Sequence, residues 1–185
     1  MILLFYLKGI LQLILSPRKG WEDISYDGFH ARELFRKGFM PLVCFCSLSV
    51  FLRLFYHADA SFAVVLEQAV VCVLKYLVAY YIAAFVFSVF MPVLSDNLPS
   101  LSKVHTFLIY SLGLMITLNI AMNCIPMDVA LLYLLPLYFY FIMWRGIGFM
   151  AISFKGAFGF LMCCGSILVP PIVIQFLFNL VIPAF

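Results

Sequence analysis

Seven polar side chains interrupt runs that are otherwise apolar: Arg53, Glu67, Lys75, Asn119, Asn123, Gln175 and Asn179. Asn119 and Asn123, and again Gln175 and Asn179, are four apart, while Glu67 and Lys75 are eight apart, so each pair shares a helix face if these runs are helical. An ionisable side chain at the centre of a bilayer costs about 2.5–3.5 kcal/mol and normally faces a partner or a water-filled space. With a cytoplasmic N-terminus, all seven fall in the outer half of the membrane. The chemistry this predicts is recognition. An outward-open polar cavity, with an Arg53–Glu67 pair across the first hairpin and Lys75 beside it, could hold an anionic or zwitterionic headgroup or pass a solute. A plainer arrangement uses the same residues: Lys75 reaches to the outer interface, and the amides bond neighbouring helices for a fraction of a kcal/mol each.

Catalysis is not expected. The chain has no nucleophile elbow, no His-Glu-x-x-His, no phosphate-binding glycine loop and no facing carboxylate pair within one apolar run, so neither enzyme activity nor a cofactor is predicted. His30, His57 and His105 stand far apart at the ends of apolar runs and read as boundary residues. The six cysteines, Cys44, Cys46, Cys72, Cys124, Cys163 and Cys164, lie in or beside apolar runs, where a thiol behaves as a small hydrophobe. No Cys/His/acid spacing suggests a metal or disulfide framework. Basic residues border the apolar runs instead of forming a soluble basic face, which argues against nucleic acid as a partner.

A membrane bundle must position the seven residues. With 66% hydrophobic and 10% charged residues and a mean hydropathy of +1.16, the chain carries less than half the charge that covers a soluble domain. The fold expected is all-α, a polytopic bundle of five transmembrane helices. Its spans run about 39–56, 64–93, 105–125, 127–145 and 157–185, by the requirement of roughly 20 apolar residues per crossing. Pro170 and Pro171 interrupt the last run and should kink it as one span. Ala79 with Ala83, and Gly113 with Thr117 and Ala121, recur at helical spacing and should face the bundle interior. Tyr76, Tyr80 and Tyr81, with Tyr133, Tyr138 and Tyr140, read as packing residues and interfacial belts.

Ahead of the spans, residues 1–38 form an expected interfacial segment, and residues 39–185 the transmembrane domain. Leu4, Leu7, Leu11, Ile14 and Leu15 recur at helical spacing with Lys8 and Gln12 placed opposite them, which predicts an amphipathic helix lying on the membrane surface. Ser16 and Pro17 suit the start of a second short helix. On it Trp21 should sit at headgroup depth, with Arg18 and Lys19 facing anionic lipid. Arg32, Arg36 and Lys37 complete a basic collar that would anchor the cytoplasmic face on anionic headgroups. Lys103, Arg145 and Lys155 fall on the same side as this collar and Arg53 on the other, so the N-terminus should be cytoplasmic and Phe185 outside.

Leu15, Pro17, Trp21 and Ile24 in "LSPRKGWEDI", followed by five apolar runs with Tyr110 in the third, resemble the bacterial members of the Yip1 family. The resemblance implies a small five-span protein, expected in a bacterial inner membrane, with a non-enzymatic role in organising the membrane or binding a membrane-protein partner or second copy. Residues 25–40 contain no Asp-Leu-Tyr-Gly-Pro segment, which marks the eukaryotic members, so binding of Rab-type GTPases does not carry over. A small transporter or channel component is the alternative drawn from the polar residues themselves.

Overall fold

The computed structural model describes residues 2–26, 30–56, 61–94, 100–125, 135–150, 152, 154 and 156–181, and every regular element among them is helical. Helix α1 is Ile2–Leu15 and α2 is Pro17–Tyr26, opening on its proline. The next run starts as α3 (Ala31–Leu34), widens into a π-helix over Phe35–Phe39, continues as α4 (Met40–Val50) and tightens to a 3₁₀ helix over Phe51–Phe55. Long helices follow: α5 (Phe62–Leu94), α6 (Leu101–Cys124), α7 (Leu135–Phe149) and α8 (Gly156–Val181). Ser100 caps α6, its hydroxyl accepting from the backbone N–H of Lys103. Pro170 and Pro171 lie inside α8, which runs through them as one helix.

Among the described residues, four runs are long and apolar enough to cross a membrane: Ala31–Phe55, Phe62–Pro92, Leu101–Cys124 and Ala157–Leu180. The described part of α7 covers 15 residues, about 22 Å at ~1.5 Å per residue, and the rest of the expected fourth span lies outside the described residues. Outward faces explain why the bundle needs lipid. Leu66, Val70, Leu74 and Val78 recur every fourth residue along α5 and are all exposed, as are Phe176, Leu177 and Leu180 on α8. Apolar surface of this extent on several membrane-length helices suits a membrane-embedded protein.

The N-terminal segment departs from the expected surface layer. Helix α1 carries two apolar faces: Leu4, Leu7, Leu11 and Leu15 are exposed, with Lys8 among them one turn after Leu4 and not opposite as expected, while Tyr6, Ile10 and Leu13 are fully enclosed. Its inner face packs on α2, α6 and the π-helical stretch. At that stretch Gly38 permits the approach, because a Cβ there would lie 3.0 Å from Tyr6 Cγ. The boundary expected at residue 38 therefore falls inside an unbroken helical run against which α1 is docked. Trp21 is corrected too. Instead of facing lipid it is wholly buried within the protein, its indole Nε1 donating to the carbonyl of Ile142 at 2.8 Å and its ring stacking on Phe107 with centroids 5.3 Å apart. A ring with one donor can satisfy it inside a bundle wherever a backbone carbonyl is free.

Around Trp21 this end of the bundle is aromatic. Tyr6 donates to Ile109 O at 2.8 Å, Tyr138 to Ile14 O at 2.9 Å, and Tyr110 packs between Tyr6 and Trp21. Tyr80, half of a 2.9 Å hydrogen bond with His105 Nδ1, closes the cluster against Phe35 and Phe39. His105 is thus part of the packing, not a free boundary residue, while His57 and Tyr133 lie outside the described residues. Ala79, Ala83 and Gly113 are interior, as their spacing predicts; Tyr81 is exposed.

Candidate functional site

Helices that alternate in direction bring the end of α4, the start of α5, the end of α6, the start of α7 and the end of α8 to one pole of the bundle. A cavity of about 580 Å³ lies between them. Its polar lining includes Arg53, Lys75, Asn119, Asn123, Gln175 and Asn179, six of the seven residues singled out above. Val50, Met115, Leu118, Met122, Ile172 and Phe176 supply the apolar wall.

Two hydrogen-bonded chains hold the polar groups. In the first, Arg53 donates from Nε to Asn123 Oδ1 at 3.1 Å and from Nη1 to Gln68 Oε1 at 3.2 Å. Asn123 Nδ2 donates to Ser49 Oγ at 2.8 Å, and that hydroxyl donates to Cys46 O at 2.7 Å. In the second, Lys75 Nζ donates to Gln175 Oε1 at 2.8 Å and stands 5.1 Å from the Tyr76 ring centroid. Gln175 Nε2 donates to Asn179 Oδ1 at 2.8 Å. Asn119 Nδ2 donates to the Tyr76 hydroxyl at 3.0 Å, and Tyr76 donates to Met115 O at 3.2 Å. The chains tie α5 to α8 and α6 and the first run to α5 and α6, so the cavity wall is cross-braced by amides.

Glu67 is the exception. It is exposed, and the expected Arg53–Glu67 pair is replaced by Arg53–Gln68. Helix phase gives the reason: on α5, Gln68, Cys72 and Lys75 fall at i, i+4 and i+7, close to one line, whereas i to i+8 has rotated by most of a right angle. Lys75 also does not reach out to the interface. It is 6% exposed and bonded inward. Sequence reasoning missed Gln68, Ser49 and the Tyr76 hydroxyl; the first was marked by its phase with Lys75, the other two by nothing local.

Among the described residues no carboxylate lines the cavity, and no group of three or more metal-ligating side chains occurs. Cys72 lines it, and its Sγ is 3.2 Å from Cys46 Sγ, both thiols free and buried. At the opposite pole Lys8, Arg18, Lys19, Arg32, Arg36 and Lys37 are exposed, leaving Trp21 as the one member of the predicted anchor drawn into the core. Lys155 lies outside the described residues. Gln12 donates to Asp23, clasping α1 to α2. Lys37 meets Glu33 one turn earlier at 3.0 Å. Compared with known protein families, with curated proteins and with solved structures, the chain matches none.

Proposed function

We propose that the protein is a non-enzymatic, five-span protein of a bacterial inner membrane that receives a polar or polar-headed ligand in its cavity and holds or passes it. In this reading the apolar run 127–145 is the fourth span, with α7 its described part. The N-terminus is cytoplasmic, Phe185 lies outside, and the cavity opens toward the outer face. The observation that carries it is the convergence of Arg53, Lys75, Asn119, Asn123, Gln175 and Asn179 from four separate segments onto one space of about 580 Å³. A volume between roughly 300 and 1,000 Å³ is that of a small-ligand site. Amides bracing helices would not need a space between them. The test is thiol labelling of Lys75→Cys, Asn119→Cys and Asn179→Cys, each in a cysteine-free background, with a membrane-impermeant reagent added from outside. Labelling of all three is expected. Protection of all three removes the outward cavity and with it the ligand reading.

A second reading draws on the other pole and on the Yip1-like motif: a membrane-organising role in which the exposed leucine stripe of α1 and the basic side chains beside it engage the cytoplasmic leaflet. Its supporting observation is that Leu4, Leu7, Leu11 and Leu15 stay exposed although α1 is docked by its opposite side. Spin labels at these four positions should report lipid contact by oxygen accessibility, while labels at Arg18 and Lys19 report water; water contact along the leucine stripe would leave this reading without support.

A further inference from the structure

Resting on the cavity reading above and going past it in charge and class, we propose that the occupant is a phosphate-type oxyanion. It would be held by Lys75 together with Arg53, and presented as a lipid headgroup or as free phosphate. Lys75 carries the case. The residue is 6% exposed, and its ammonium has two partners, the amide oxygen of Gln175 and the face of the Tyr76 ring, both neutral. A cation buried among apolar helices is ordinarily paired with an anion or opens to a water-filled path, because neutral dipoles replace only part of its hydration. The acid nearest to it on the same helix, Glu67, is exposed, and no described carboxylate lines the cavity. With Glu67 inside, the site would have suited a zwitterion as well as an anion. With Gln68 in its place the described polar lining has Lys75, Arg53 bonded to Asn123 and Gln68, the amides, the Tyr76 hydroxyl and the Cys72 thiol.

The donor set fits an oxyanion with several acceptor oxygens. Asn119, Asn123 and Gln175 each use one N–H of the amide on a protein acceptor, and every primary amide has two. Guanidinium and ammonium groups together recognise phosphate by charge-assisted bonds that are shorter and stronger than neutral ones. Leu118, Met122, Ile172 and Phe176 on the same wall offer apolar surface on which an attached chain could lie. Ile172 and Phe176 are also largely exposed, as Val173 and Leu177 beside them on α8 are, so the apolar wall adjoins the exposed apolar surface of that helix.

The experiment uses full-length protein in phosphatidylcholine nanodiscs doped with a small fraction of phosphatidic acid, with retained lipid identified by native mass spectrometry. Wild type is compared with Lys75→Met and Lys75→Arg, with and without millimolar inorganic phosphate. Lys75→Met removes a buried cation and keeps an unbranched apolar stem one atom shorter, so it should fold; a thermal melt checks this. Wild type and Lys75→Arg are expected to prefer phosphatidic acid by about tenfold, the factor that ~1.4 kcal/mol of differential binding gives, and Lys75→Met to lose that preference. If inorganic phosphate does not displace the lipid, the ligand is lipid-borne. If it does, the anion site stands and its source is soluble phosphate. Retention of both lipids without preference, or a preference untouched by Lys75→Met, overturns the anion assignment while leaving the cavity reading intact. Failure to retain any lipid, together with no shift in the melt on adding phosphate, overturns both.

Discussion

The two poles of the bundle use the same helices and nearly opposite chemistry. Near Trp21 the space between helices is filled by rings, three of which end their polar atoms on a backbone carbonyl or on another ring: Trp21 on Ile142, Tyr6 on Ile109, Tyr80 on His105. Near Lys75 the helices are separated by a cavity and joined through side-chain amides. In lipid there is no hydrophobic drive to bring helices together, so close packing of complementary surfaces and interhelical hydrogen bonds decide which ones associate. The aromatic pole is where that packing is complete. The polar pole is where it has been left incomplete around two cations, an arrangement that holds because the other end is so well packed.

If that division is correct, stability should respond very unequally to truncation at the two poles. Trp21→Ala removes the largest enclosed side chain, its stacking on Phe107 and its bond to Ile142. A loss of about 3–5 kcal/mol is expected, as for large aromatic residues in well-packed cores, measured by denaturation in mixed micelles. A loss no greater than that of a cavity residue would erase the distinction between the poles.

A smaller effect sharpens the comparison by adding an atom instead of removing a ring. At Gly113 a Cβ would run into the Tyr6 hydroxyl and approach Ile10 Cδ1 to 2.9 Å, whereas at Gly165 on α8 nothing lies within 4 Å. Gly113→Ala should cost about 1–3 kcal/mol through overpacking. Gly165→Ala should be neutral or stabilising by up to ~1 kcal/mol, since alanine is the better helix former. Equal responses at the two glycines would mean that Tyr6 can move aside and that the docking of α1 is loose.

How far the sequence foretold these poles depends on the range of the interaction involved. The all-helical fold and the membrane-length runs follow from composition and from run length, both local properties. Six of the seven cavity residues could be singled out because a polar side chain in an apolar run is conspicuous one residue at a time. Their partners were harder. Whether Arg53 meets Glu67 or Gln68 turns on helix phase, and whether Lys75 turns inward depends on Gln175, 100 positions away. Trp21 was misread for the same reason. Beside Arg18, Lys19, Glu22 and Asp23 it looks interfacial, and only the folded chain brings Ile142, Phe107 and Gly146 to it. Gly146 was a signal of a sort, since a Cβ there would strike the indole ring, but glycine spacing alone does not say what it accommodates. The leucine stripe on α1 was legible; the second apolar face of Tyr6, Ile10 and Leu13, which turns a surface helix into a docked one, was hidden behind it.

The smallest expected effect is the one that separates bracing from binding within the polar pole itself. Asn119 donates to the Tyr76 hydroxyl at 3.0 Å and is only half-buried, with the cavity on its other side. Interhelical hydrogen bonds of this kind average about 0.6 kcal/mol in a membrane protein, so Asn119→Ala should lower stability by roughly that much and no more. Tyr76 keeps its own bond to Met115 O in the variant, which prevents a buried hydroxyl from being stranded and keeps the loss small. Ligand retention is a different matter. If the second amide N–H of Asn119 serves an occupant of the cavity, the same substitution should weaken binding by about tenfold or more, since a bond to a charged acceptor is worth about 1.5–3 kcal/mol where a neutral one is worth about 1. Denaturation and lipid retention measured on one preparation of Asn119→Ala therefore answer the question together. A small stability loss with a clear loss of retention places Asn119 in the binding wall. Unchanged retention with the same small loss makes it a brace between α5 and α6 and confines recognition to Lys75, Arg53 and their immediate partners.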